Sequence, residues 1–170
     1  MYGGLMPNLK MPSYMVIRDT REKEGHGWEF VNNASKKRSP SCLGMIIQTL
    51  ANGDYSLVGY EDIVTIERKK NFSELWTNYQ ERAKFEEKMG RLSRVKYPFL
   101  LIETPLSSDH LDLTPPQFTT NVPGKIIITW LLKISMMYNI KVMNVSDCGQ
   151  RITQHIFEEV IRLERDRWVI

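Results

Sequence analysis

The 170 residues are 42% hydrophobic and 25% charged, enough for one domain with a continuous core and too apolar for wholesale disorder. With 23 basic and 20 acidic residues the formal charge is +3, which permits a nucleic-acid partner without demanding one. Two cysteines and three scattered histidines exclude a disulfide framework and a histidine-based or cysteine-rich metal site, and no apolar run approaches the ~18 residues of a membrane span.

Residues 1–12 carry glycine and proline breaks and read as a flexible leader, with one domain expected over 13–170. No basic, then apolar, export signal is visible, so an intracellular, reduced setting is expected: cytoplasm, or nucleus in a eukaryote. Tyr14 to Ile17 is a short strand that runs into the charged string Arg18 to Lys23, and Asn32 to Ser41 reads as a basic loop centred on Lys36, Lys37 and Arg38. Met45 to Leu50 fits either a strand or a helix end. Asn52-Gly53 signals a hairpin between that run and a strand from Tyr55 to Val58. Ile63 to Ile66 is β-branched at every position, as suits a buried strand.

From Asn71 the period becomes helical, with Phe72, Trp76, Tyr79 and Ala83 on one face and Asn71 and Glu74 placed for a capping box. One helix is expected as far as Leu92. Phe99 to Ile102 reads as a strand covered on both faces, followed by a long proline-containing connection, a helix over Ile126 to Met137, and a buried strand over Ile140 to Val145. An amphipathic helix over Thr153 to Arg167 closes the chain. Strands in a meander, then strands alternating with helices, predict an α/β sandwich around a mixed sheet.

Asp19, Asp54, Glu67 and Lys69 each fall at the end of a predicted strand. Adjacent strands lie ~4.8 Å apart, so acids on one sheet edge can converge on a single ion. Two or three carboxylates suit Mg²⁺ or Mn²⁺, which take oxygen ligands and keep several waters. Lys69, two residues after Glu67, shares its strand face and can steady charge developing on phosphorus. A solvated salt-bridge cluster would show the same spacing.

The ordered strings Ile17-Arg18-Asp19-Thr20-Arg21-Glu22, Gly53-Asp54-Tyr55 and Glu67-Arg68-Lys69, with Tyr97 to Glu103 beyond them, resemble the nuclease domain of the XPF family of structure-specific DNA endonucleases. The likeness is close over about residues 14–103 and looser beyond. It implies a restriction-endonuclease-like α/β core, a central mixed sheet flanked by helices, that cuts branched or structured DNA in repair or recombination. By the resemblance Asp54 and Glu67 are the principal metal ligands, Asp19 an additional acid, Lys69 a positioned cation, and Arg68 a holder of phosphate or of a neighbouring carboxylate. Arg21 and Glu22 stand where the family keeps functional charges; with Lys36, Lys37, Arg38 and Lys70 they are the expected DNA contacts. The family's closing Asp falls on Ser73, and its helix-hairpin-helix modules do not follow, which suits a stand-alone, phage-like form. The alternative is a non-catalytic subunit that binds DNA and positions an active nuclease. XPF-type nuclease domains pair through their final helices, which implies a homodimer with Ile152, Ile156, Val160 and Leu163 along the seam; the same stripe could instead cover the chain's own sheet.

Overall fold

The computed structural model describes residues 12–22, 25–33, 40–104, 106 and 124–166. Six strands are built from the apolar runs: β1 (Ser13–Arg18), β2 (Ser41–Ile47), β3 (Tyr55–Leu57), β4 (Val64–Lys69), β5 (Tyr97–Ile102) and β6 (Lys141–Asn144). They form one sheet in the order β2-β1-β3-β4-β5-β6. β3 runs antiparallel to both β1 and β4, whereas the pairs β1–β2, β4–β5 and β5–β6 are parallel. The sheet is therefore mixed, and the chain is an α/β protein.

Helices cover both faces. α1 (Phe72–Gln80), α2 (Arg82–Leu92) and α3 (Gly124–Tyr138) bury Leu75, Phe85, Met89, Trp130 and Leu131 against Leu100 and Ile102. On the other face α4 (Gly149–Asp166) presses Phe157, Val160 and Ile161 onto Val16, Tyr55, Ile66 and Leu101. Side-chain alternation along a strand thus divides the apolar residues of β5 between two cores. Among the described residues no helix is long and apolar enough to cross a membrane.

Three expectations need correction. Asn52-Gly53 does not join a hairpin of β2 and β3: β2 lies at the sheet edge, and β1 stands between the two. Gly53 instead makes a tight turn at φ +71°, and the Asp54 N–H donates to the Ile66 carbonyl at 2.8 Å. The helix expected over 71–92 is broken at Glu81, whose φ and ψ are −95° and 33°. On a straight helix Leu75 and Phe85 would lie roughly 80° apart around the axis; the break brings both into one core. β6 is a largely exposed edge strand rather than a buried one: its flanking residues Ile140 and Val145 are buried, and within it only Val142 packs partly against the core.

The capping box at α1 is displaced by one residue. Asn71 Oδ1 accepts from the Glu74 N–H at 2.9 Å, while the Glu74 carboxylate accepts from the Lys70 N–H at 2.8 Å. Of the expected seam residues, Val160 is buried, Ile152 and Ile156 pack partly against the core, and Leu163 is 46% exposed. The leader apart from Pro12, the Lys36-Lys37-Arg38 loop and most of the proline-rich connection lie outside the described residues.

Candidate active site

Strand β4 sorts the site. Its odd members, Glu67 and Lys69, face α2, and its even member Arg68 faces the opposite side, over the Trp28 ring at 4.8 Å. Glu67 is fully buried. Its Oε1 accepts from Lys88 of α2 at 2.6 Å and lies 2.8 Å from Lys69 Nζ, while its Oε2 has no partner among the described residues. Burial alone would raise the Glu67 pKa, yet the two ammonium groups overcome it and hold the carboxyl below its ordinary value.

Asp54 straddles Glu67 from the turn just before β3. Its backbone N–H bonds to Ile66, and its Oδ2 accepts from the Arg68 N–H at 2.7 Å. Burial, reinforced by the Glu67 charge, pushes its pKa up to about 7. Two neighbouring carboxylates with pKa values driven apart by their surroundings make a proton-sensitive pair. Lys69 feels the opposite: burial lowers its pKa, and the Glu67 and Asp54 charges raise it further than that, so it stays protonated.

Asp19 and Arg68 are engaged elsewhere. Asp19 Oδ1 accepts from the Arg21 N–H at 2.9 Å and from its Nε at 2.5 Å, and Oδ2 accepts from the Leu50 N–H at 2.6 Å. This carboxylate closes its own turn and ties it to the segment after β2. The Arg68 guanidinium donates to Glu103 at 2.7 and 3.2 Å, to Glu22 at 2.5 Å and to the His26 carbonyl at 2.7 Å. Of the two partners foreseen for Arg68, it meets carboxylates, and Glu22 is one of them. Trp28 completes this knot by donating its indole N–H to Glu103 at 2.7 Å. Its ring lies so close to Gly149 that a Cβ there would collide with it, which is why α4 starts on glycine.

An open cleft of about 490 Å³ lies beside these groups; Arg21, His26, Arg68, Lys70 and Asn71 line it together with two acids, Glu22 and Glu74. Ser73 sits half-buried in the first turn of α1, its carbonyl accepting from the Thr77 hydroxyl at 2.9 Å. Lys88 is the residue that sequence reasoning passed over: it was one helix cation among several. Nothing local marks a lysine 21 positions from Glu67 as its partner. Among the described residues no three or more His, Cys, Asp or Glu side chains converge as a metal cage. Two carboxylates, one with a bare buried oxygen, still suit a hard cation that keeps most of its waters.

The fold is similar to that of solved XPF nuclease structures. The chain matches the solved structure of XPF from Aeropyrum pernix with a TM-score of 0.57 and 21% identity, over 90% of this chain and 66% of that one. It matches XPF from Aeropyrum pernix in complex with DNA with a TM-score of 0.55 and 21% identity, over 91% of this chain and 66% of that one. The chain therefore spans a little less than two thirds of those solved chains. No model of a known protein family matches the sequence, and neither does any curated protein.

Proposed function

We propose that this protein is a Mg²⁺- or Mn²⁺-dependent endonuclease acting on branched or structured DNA, such as flaps, forks or junctions, in repair or recombination. The observation that carries the reading is Glu67: a fully buried carboxylate with one oxygen clamped by two lysines and the other bare, beside Asp54. A buried carboxylate oxygen without a partner is costly unless something completes it, and a cation does so. The fold match to an XPF chain that carries DNA supports the choice of substrate.

In this reading Asp54 and Glu67 hold the ion. Bound there, it supplies a Lewis acid that activates water and offsets charge on the phosphate. Lys88 and Lys69 keep Glu67 ionised, and Lys69 is also placed to steady the phosphate oxygens as charge builds on them. Arg21 and Lys70, on the cleft beside the acids, position the DNA backbone. Asp19 and Arg68 act by holding the charged turn and the strand ends in register, as positioning residues. A homodimer belongs to the same proposal, with Leu163 at the exposed edge of its seam.

A second reading, a DNA-binding subunit without catalysis, is favoured by one feature: two lysines already neutralise Glu67. Cleavage assays on flap, fork and four-way junction DNA separate the two. The wild type should cut at least one substrate with Mg²⁺ or Mn²⁺, and Asp54→Asn with Glu67→Gln should abolish cutting. Lys69→Ala should lower turnover by roughly 10²-fold with DNA affinity retained. DNA binding without cleavage of any substrate in either metal would select the second reading.

A further inference from the structure

Away from the carboxylates, α1, α2 and α3 enclose a groove of about 590 Å³ that no part of the proposed chemistry uses. Its floor is aromatic. Tyr79 stacks on Trp76 with ring centres 5.5 Å apart and meets Trp130 edge-on, also at 5.5 Å. The Trp130 indole N–H is buried with no acceptor among the described residues, and a donor of this kind is satisfied by water or by a ligand. The rim is cationic: Arg82, Lys125 and Lys133 line the groove against a single acid, Glu86. Arg82 lies over the Tyr79 ring at 5.7 Å, and Lys133 reaches Glu86 only at 3.6 Å. All three cations are exposed.

We propose that this groove binds single-stranded nucleic acid, with a base stacked on the Tyr79 and Arg82 planes and phosphates held by Lys125 and Lys133. Aromatic faces interleaved with cations fit a polymer that alternates flat bases with phosphates. An acidic peptide would use the cations and leave the aromatic floor without a counterpart. The helix α2 ties the groove to the candidate active site. Arg82 and Lys88 are six residues apart, ~9 Å along the axis, and Lys88 bonds to Glu67. The two lie roughly 120° apart around that axis, so the groove and the acids flank α2 on different sides, and the unpaired arm of a branched substrate would pass around the helix between them. That role rests on the nuclease reading; the binding itself does not.

The test is fluorescence anisotropy of a labelled oligothymidylate with the full chain in EDTA, over a series of salt concentrations. Wild-type log K should fall against log[salt] with a slope of about −1.4, as two phosphate contacts on a single strand predict. Neutralising the rim with Arg82→Gln, Lys125→Gln and Lys133→Gln should flatten that slope and weaken binding at least tenfold at low salt. Tyr79→Leu should cost roughly tenfold through lost stacking, and the quenching of tryptophan fluorescence on binding should disappear with it. Circular dichroism melts establish that each variant is folded. Unchanged affinity and slope in the folded rim variant would overturn the proposal, and so would displacement of the oligonucleotide by polyglutamate as efficiently as by unlabelled oligothymidylate. Asp54→Asn with Glu67→Gln should lose cleavage and keep this binding. A wild type that binds here and cuts nothing would sink the nuclease reading alone.

Discussion

Asp54 and Glu67 differ in what their neighbours do to them. Lysines surround Glu67, whereas Asp54 meets burial and the Glu67 charge, and its pKa rises from 3.8 to about 7. A folded-state pKa above the unfolded value means that protonation favours the fold. The stability Asp54 contributes is complete below pH ~4 and is lost as pH rises through about 7. Asp54→Asn cannot ionise and keeps an oxygen for the Arg68 N–H, so it should escape that loss. In metal-free buffer the variant should match the wild type near pH 4, gain on it up to neutrality, and hold a constant advantage of roughly 1–3 kcal/mol above pH 8. Thermal melts across this range check it, and a constant difference at every pH would contradict the assignment. Adding Mn²⁺ should stabilise the wild type and leave Asp54→Asn with Glu67→Gln unmoved, because a ligand stabilises only the state that binds it. Calorimetric titration with Mn²⁺ reads the same contrast directly.

Among the elements, the turn before β3 is the one that delivers Asp54. Gly53 has φ +71°, and a Cβ there would run into the Thr65 side chain and approach the Ile66 carbonyl oxygen to 2.9 Å. Gly53→Ala therefore combines left-handed strain with overpacking against the backbone of β4. A loss of about 3 kcal/mol is expected, close to 10 °C in melting temperature for a chain of this size. Urea unfolding measures it, and a loss below 0.5 kcal/mol (roughly the scale of a neutral surface change) would show that the turn tolerates a side chain. The break at Glu81 matters at the same scale. It lets α1 start straight after β4 while α2 turns back to set Lys88 on Glu67.

For the whole molecule the open question is what α4 covers. Most of its apolar face lies on its own sheet, with Phe157, Val160 and Ile161 buried, and Leu163 stands 46% exposed beyond it. The proposed homodimer needs Leu163 and the partly buried Ile152 and Ile156 to meet a second copy. Light scattering at micromolar concentration should then report about twice the 19.9 kDa chain mass. Leu163→Asp should return the monomer with little change in melting temperature, since that side chain contributes little to the chain's own core. A monomeric wild type that still cuts branched DNA would remove the dimer and leave the nuclease proposal standing.

Much of this was legible without coordinates because it is local. A β-branched run such as Ile63 to Ile66 and a helical period from Phe72 onward report their own conformation, and the order of acids around Gly53-Asp54 and Glu67-Arg68-Lys69 is a matter of sequence alone. Strand alternation likewise puts Glu67 and Lys69 on one face before any fold is known. What the sequence could not settle is which distant groups meet. Nothing near Asp19 in the chain shows that one of its oxygens accepts from Leu50, 31 residues away, while the other accepts from Arg21. For Arg68 the sequence left phosphate and carboxylate both open, and the fold places it between Glu22 and Glu103. Lys88 carried no signal at all, and the Asn52-Gly53 turn pointed to the wrong strand partner. Local propensity depends on a few neighbouring residues, whereas pairing, burial and the resulting pKa values depend on which surfaces the sheet order brings together. That order, β2-β1-β3-β4-β5-β6 with helices on both faces, was decided by the packing of two cores and is visible only in the folded chain.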